Sequence, residues 1–143
     1  ILGCTVSGNL NIQAGKVFAP TILKAGGVAV NNRGMIAQCT VSVMLTGEIQ
    51  MGTYIESSAH SIYAGGITAD NQAGAFVTQC VFTGNISANI VLPEHLKDVE
   101  GLTGGRVYAG YVAGSSQGYI SACTNASMNS GLKVQGTGTG MVQ

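Results

Sequence analysis

The chain has little charge. Asp, Glu, Lys and Arg make up 8% of its 143 residues, against about 25% in ordinary soluble domains. Six basic and six acidic residues cancel, and no cluster of Lys or Arg forms a patch. That argues against nucleic acid and anionic membrane surfaces as partners. Tryptophan is absent, aromatic residues are 6%, and there are only two prolines. With hydrophobic residues at 45%, scarce proline argues against disorder. No run of about 18 apolar residues occurs, so no membrane-spanning segment is expected. The four cysteines form no C-x-x-C pair, and neither His60 nor His95 lies near one in sequence. A zinc-type ligand set is therefore not expected, and no metal or cofactor site is predicted. Gly136-Thr137-Gly138-Thr139-Gly140 lacks the Lys-Ser/Thr of a phosphate loop.

What the chain does have is glycine, 22 residues of it, scattered among Val, Ile, Ala and Leu. That mixture suits short strands joined by tight turns. It does not suit helices, where Gly costs about 1 kcal/mol against Ala.

One phrase is written three times: AGGVAVNNRGMIAQC at Ala25–Cys39, AGGITADNQAGAFVTQC at Ala64–Cys80 and AGYVAGSSQGYISAC at Ala109–Cys123. A truncated copy ends at Gly3-Cys4. Cys4, Cys39, Cys80 and Cys123 hold the same place in each copy, 35, 41 and 43 residues apart. Such a period is the signature of a repeat architecture. It divides the chain into units of roughly 1–24, 25–63, 64–108 and 109–143, all within one segment. The first residue is not Met and the first copy is cut in half, which reads as a processed or excised piece. The opening Ile1-Leu2-Gly3-Cys4 resembles a lipoprotein cleavage box, but Cys4 is already explained as the first of four equivalent cysteines.

Each full unit opens on small residues at a bend, then a short strand such as Val28-Ala29-Val30. A polar turn ending in glycine follows, as in Asn31-Asn32-Arg33-Gly34. The next strand carries the cysteine: Met35–Val41, Phe76–Phe82 and Tyr119–Thr124. Ile36, the neighbours of Cys39, and Val41 cannot all share one face of such a strand. A glycine turn is expected four residues past the cysteine at Gly8 and Gly84, and eight past it at Gly47 and Gly131. A third strand, for example Tyr54-Ile55-Glu56 with Ser61-Ile62-Tyr63, leads to the next bend.

Residues 92–101 break the pattern. Pro93 opens the stretch, Gly101 closes it, and Leu92, Leu96 and Val99 recur at helical spacing. A short helix on an inserted loop is predicted there.

A three-strand unit of this size cannot bury its apolar face alone. Stacking solves the problem, because each strand pairs in parallel with its equivalent above and below. The expected fold is all-β, a parallel β-helix (β-solenoid) of about 3.5 repeats, right-handed like nearly all parallel crossovers. With one unit per coil the cysteines form a structural ladder about 4.8 Å apart. That is within disulfide range, although in-register side chains aim the same way. With two coils per unit a bridge is excluded, so free and bridged cysteines both stay open.

The string GG-strand-N-x-x-G-x-I-x-x-C-x-x-x-G-N-I runs from Gly26-Gly27 to Cys39, from Gly65-Gly66 to Ile86, and from Gly110 to Cys123. It resembles the GLUG motif of bacterial surface and secreted proteins, including large adhesins and the stalk of immunoglobulin A peptidases. Gly110-Tyr111 lacks the second glycine, and the delayed turns at Gly47 and Gly131 depart from the tight pattern. The resemblance implies an extracellular or cell-surface location and a structural or adhesive role. It carries over no catalytic residue, and function would reside in sites grafted on the scaffold.

The leading expectation is therefore a structural or adhesive segment of a surface protein or filament, and not an enzyme. Its partners would be neighbouring repeats, copies of itself stacked end to end, or a host or matrix glycan or protein. The alternative is a glycan-binding or ice-binding module using a flat face of Thr, Ser and Tyr, with Thr137-Gly138-Thr139, Tyr108, Tyr111 and Tyr119 as candidates. A carbohydrate-active β-helix enzyme would need clustered carboxylates. Of Glu48, Glu56, Asp70, Glu94, Asp98 and Glu100, only the last three cluster, beside Lys97 on the predicted helix. Asn85-Ile86-Ser87 and Asn125-Ala126-Ser127 are glycosylation sequons, both expected at turns and relevant only in a eukaryotic secretory host.

Overall fold

A computed structural model describes residues 1–52, 60–96, 105–126 and 132–136, the last five and Leu96 by backbone alone. It is all-β. In chain order the strands are β1 (Thr5–Val17), β2 (Ile22–Gly26), β3 (Ala29–Asn32), β4 (Met35–Ala37), β5 (Thr40–Met51), β6 (Ser61–Gly65), β7 (Thr68–Asn71), β8 (Phe76–Thr78), β9 (Val81–Phe82), β10 (Asn85–Val91), β11 (Arg106–Gly110), β12 (Ala113–Ser116), β13 (Tyr119–Ser121), β14 (Thr124–Asn125) and β15 (Leu132–Gly136). Every strand pairing is parallel.

The strands sort into four sheets, and each sheet takes its strands from successive units. Sheet I is β2-β6-β11, sheet II is β3-β7-β12 and sheet III is β4-β8-β13. Sheet IV gathers β1, β5, β9, β10, β14 and β15. β9 and β10 follow one another along one edge of β5, pairing with Thr40–Val41 and Met44–Gln50. β1 pairs with the same stretch of β5, so it occupies the opposite edge. Equivalent residues face each other throughout: Ala25, Ala64 and Ala109 in sheet I, and Ile36, Val77 and Ile120 in sheet III. One unit therefore contributes one layer of strands, which answers the question of one or two layers per repeat.

The expected unit of three strands is in fact four. The cysteine strand is broken one residue before each cysteine by a left-handed backbone: Gln38 (φ 55), Gln79 (φ 54) and Ala122 (φ 51). Gly3 (φ 65) takes the same place before Cys4. A left-handed residue turns the chain a corner and resets which side faces inward. Ile36 and Ala37 are buried before the corner, and Cys39, Val41, Val43, Leu45 and Ile49 are buried after it. From Thr40 to Met51 exposed and buried residues alternate, the period-2 pattern of a strand with one face on the core. The apparent conflict between Ile36 and Val41 on a single face vanishes at this corner.

The glycine turns after the cysteines are not turns. Gly47 lies in the middle of β5, opposite Ile12 on one side and Ala88 on the other. A methyl group there would touch the side chains of Ile62 and Ile12, so their volume fills the place its own side chain leaves empty. Gly8 is inside β1. Gly84 separates β9 from β10, but the chain continues along β5. A Cβ at Gly84 would sit 1.8 Å from the Val43 carbonyl oxygen, so glycine serves close approach. Gly131 lies outside the described residues, as do Tyr54-Ile55-Glu56.

The predicted helix over 92–101 is, where described, one turn of 3-10 helix at Glu94–Leu96; residues 97–101 lie outside the described part. The core runs through the middle of the layers. Val41, Leu45, Ile49, Ile62, Ile67, Val77, Phe82, Ile86 and Ile90 are buried in one cluster. Burial of each such side chain contributes roughly 1.5–3 kcal/mol.

Candidate functional site

Sheets I and II meet at a tight corner, and glycine makes the close approach possible. A Cβ on Gly26, Gly65 or Gly110 would lie 2.0, 1.7 or 2.2 Å from the carbonyl oxygen of Ala29, Thr68 or Ala113. No side chain fits there, so the two backbones touch. Two residues before each glycine stand Lys24, Tyr63 and Tyr108, in register on sheet I. Two residues after the contact stand Asn31, Asp70 and Ser115, in register on sheet II. Lys24 and Tyr63 of the first column and Asp70 and Ser115 of the second line a groove of about 410 Å³, with Gln72, Ala73 and Gln117 completing the lining.

The walls are ordered by their own contacts. Lys24 Nζ donates to Asp70 Oδ2 at 3.2 Å and lies 5.1 Å from the centre of the Tyr63 ring. The Tyr63 and Tyr108 rings stack with centroids 4.7 Å apart and planes 8° from parallel. Arg33 Nε donates to the Gln72 side-chain oxygen at 3.0 Å. The ion pair is part exposed, so solvent screens it and its net worth is small. Its role is to hold a carboxylate and an ammonium at fixed positions beside an aromatic wall.

Beneath the groove floor runs a polar ladder that the sequence presents only as turn residues. Asn32 Nδ2 donates to Asn71 Oδ1 at 2.9 Å and to the Phe76 carbonyl at 3.0 Å. Asn71 Nδ2 donates to Ser116 Oγ at 3.1 Å and to the Tyr119 carbonyl at 3.3 Å. Asn32 and Asn71 are both buried, and their amides satisfy the carbonyls that the turns leave unpaired.

Cys4, Cys39, Cys80 and Cys123 are free thiols, Cys39 and Cys80 buried and Cys4 and Cys123 half-buried. Each sits just past the left-handed corner, and its Sγ donates back to the carbonyl two residues earlier. The distances are 3.3 Å for Cys39 to Ala37, 3.3 Å for Cys80 to Thr78, 3.4 Å for Cys123 to Ser121 and 3.9 Å for Cys4 to Leu2. The carbonyls of Ala37, Thr78 and Ser121 also accept a backbone N–H from the neighbouring layer, so the thiol adds a second, weak donor at the bend. Burial pushes the Cys80 pKa up, with the neighbouring thiols of Cys123 and Cys39 adding to the rise. A protonated, buried thiol packs as a small hydrophobe and is a poor nucleophile.

The other candidates are dispersed. Tyr108 stacks on Tyr63 beside the groove, Tyr111 tilts against Phe82 with ring centroids 5.9 Å apart, and Tyr119 stacks on Phe76 at 4.9 Å on sheet III. They do not share a face. Thr137-Gly138-Thr139 lies outside the described residues. So do Glu56, Lys97, Asp98 and Glu100, while Glu48, Asp70 and Glu94 stand on separate elements. Glu48 accepts from Gln50 at 2.9 Å. Asn85 opens β10 and Asn125 closes β14, so both sequon asparagines are exposed strand residues and not turn residues. A second cleft of about 550 Å³ is lined by Lys16, Phe18, Gln50, Met51, Gly52 and Val91–His95.

Sequence reasoning missed the groove because its lining comes from positions 24, 63, 70, 72, 73, 115 and 117. One signal was present: in the second and third copies a tyrosine precedes the repeated Ala-Gly pair, at Tyr63-Ala64-Gly65 and Tyr108-Ala109-Gly110. Comparison with family models, with curated proteins and with solved structures finds no match.

Proposed function

We propose that the four sheets are the faces of a right-handed parallel β-helix built from GLUG-like repeats. In this reading the chain is a structural and adhesive segment of an extracellular or cell-surface protein or filament. The observation that carries the reading is the equivalence of the units. All four sheets pair each strand with the same strand of the next unit, and the corner before the cysteine repeats with φ between 51° and 65° in every copy. An architecture of identical layers extends along one axis by adding layers, which is what a stalk or filament requires. Its natural partners are further repeats or copies of itself.

A glycan-binding module is the second reading, favoured by the aromatic and polar groove between sheets I and II. The ice-binding version has less support, since the named tyrosines do not share a flat face.

Electron microscopy of the purified chain and its parent assembly tests the main reading. Rods with a strand spacing of about 4.8 Å along the long axis are expected. Globular particles with strands running along the long axis would overturn it.

A further inference from the structure

The groove between sheets I and II has the chemistry of a sugar site, and we propose that it binds a short neutral oligosaccharide laid along the stacking axis. The inference rests on the adhesive reading and names what is adhered to.

Four observations support it. First, the groove is built and not incidental. Its tight corner depends on glycine at three equivalent positions, Gly26, Gly65 and Gly110, each with sheet II backbone where a side chain would be. Second, the lining is polar with one aromatic wall. Asp70 accepts only, Lys24 donates only, and Gln72, Ser115 and Gln117 can do both. Pairs of sugar hydroxyls, each a donor and an acceptor, match such a set, and the Tyr63 ring offers apolar contact to their C–H groups.

Third, charge excludes the other small-ligand classes. Lys24 is paired with Asp70 at 3.2 Å and Arg33 is engaged by Gln72 at 3.0 Å. A phosphate or acidic sugar would have to displace one of these partners, and Asp70 would repel it. A cationic ligand would meet Lys24. An apolar ligand would leave Asp70 and the amides without partners, at a cost in affinity. Fourth, the site is periodic. The same columns recur on three layers, about 4.8 Å apart, so the groove spans roughly 10 Å along the axis. A polymer with a short repeat can lie along such a groove and meet a side chain at the equivalent position on each layer, Lys24, Tyr63 and Tyr108 on one side and Asn31, Asp70 and Ser115 on the other.

The side chains are held before any ligand arrives. The Lys24–Asp70 pair, the Tyr63–Tyr108 stack and the Arg33–Gln72 bond fix the rotamers that would otherwise be ordered at a cost on binding. Several such grooves on one array would convert weak single contacts into avid adhesion.

The experiment is amide-resolved NMR titration of the whole chain with cellobiose, lactose and N,N′-diacetylchitobiose, and with digalacturonate as the charged comparison. Shifts confined to Tyr63, Asp70, Gln72, Tyr108, Ser115 and Gln117 with a neutral disaccharide are expected, with at least roughly tenfold weaker response to digalacturonate. Asp70→Asn and the exposed double change Ser115→Ala/Gln117→Ala should each weaken binding roughly tenfold, the loss of one or two hydrogen bonds. Both variants should keep the wild-type amide spectrum away from the groove. If a folded chain responds to none of the neutral sugars, or prefers digalacturonate, the inference is overturned. It is overturned equally if binding survives both variants unchanged. These results leave the strand spacing seen by microscopy untouched, so they separate this inference from the structural reading.

Discussion

The buried amide of Asn32 donates to the side-chain oxygen of Asn71, one layer above it, at 2.9 Å. Asn71 in turn reaches Ser116 and the carbonyl of Tyr119 on the next layer. This bond joins residues 39 apart in sequence and locks the turn between sheets II and III in every layer at once. A buried amide with both ends satisfied contributes modestly, whereas one with a missing partner is costly.

Asn71→Ala should therefore destabilise the chain more than Asn32→Ala. The central residue holds partners on both sides, and its loss takes a donor from the Tyr119 carbonyl and an acceptor from Asn32 Nδ2 together. A loss of about 2–3 kcal/mol is expected for Asn71→Ala and about 1–2 kcal/mol for Asn32→Ala. Urea unfolding midpoints at constant slope measure both. Equal losses would show that the ladder is not read from its centre.

The corner before each cysteine makes the opposite kind of prediction. Ala122 sits at φ 51, where an L-residue pays about 1–2 kcal/mol and glycine does not. Ala122→Gly should stabilise by about 0.5–1 kcal/mol, once the greater freedom of glycine in the unfolded chain is subtracted. Gly3→Ala, at φ 65, should destabilise by a similar amount. Thermal melts of the two variants should move in opposite directions.

The thiols should react in a fixed order. Cys39 and Cys80 are 0% and 1% exposed, while Cys4 and Cys123 are half-buried. Burial also raises the Cys80 pKa, which lowers its thiolate fraction further at neutral pH. Iodoacetamide on the folded chain should modify Cys4 and Cys123 first, and all four in denaturant. Mass spectrometry of the digests gives the order, and early labelling of Cys80 would contradict the buried ladder.

His60 predicts a loss of stability in mild acid. It is 3% exposed, its Nδ1 has no hydrogen-bond partner, and burial lowers its pKa below 6.5. The unfolded chain then binds the proton more readily than the folded one. The neutral-histidine contribution is fully present above about pH 6.5 and declines as pH falls below that value. Urea midpoints should fall as pH drops below about 6.5, and His60→Gln should flatten that fall. An unchanged slope in the variant would move the cause elsewhere.

Much of the fold was legible without coordinates. The three copies of the Ala-Gly phrase marked the layers, because a unit too small to bury its own apolar face must stack on its like. The strand carrying the cysteine was expected at Met35–Val41 with no inward positions assigned, and the alternation from Thr40 to Met51 emerged only with the structure. Two local inferences failed at glycine. Gly47 and Gly84 looked like turns, yet they serve close contact with Ile62 and Val43. A glycine needed for a turn and one needed for a neighbour's volume are the same letter, and only the neighbour distinguishes them. The short helix over 92–101 was over-read from spacing in a stretch whose described part is a single 3-10 turn.

The sequence by itself determined the all-β character, the unit length and the equivalence of the four cysteines. These rest on period and composition, which are properties of a chain read alone. The tertiary structure decided the rest. Gln38, Gln79 and Ala122 have no strong local preference for left-handed backbone, so only stacking of equivalent corners holds them there and sets which side chains face inward beyond. The groove arises in the same way. Lys24 and Asp70 are 46 residues apart, and nothing in either stretch announces the other until parallel pairing places them one layer apart, across a corner that three glycines allow to close.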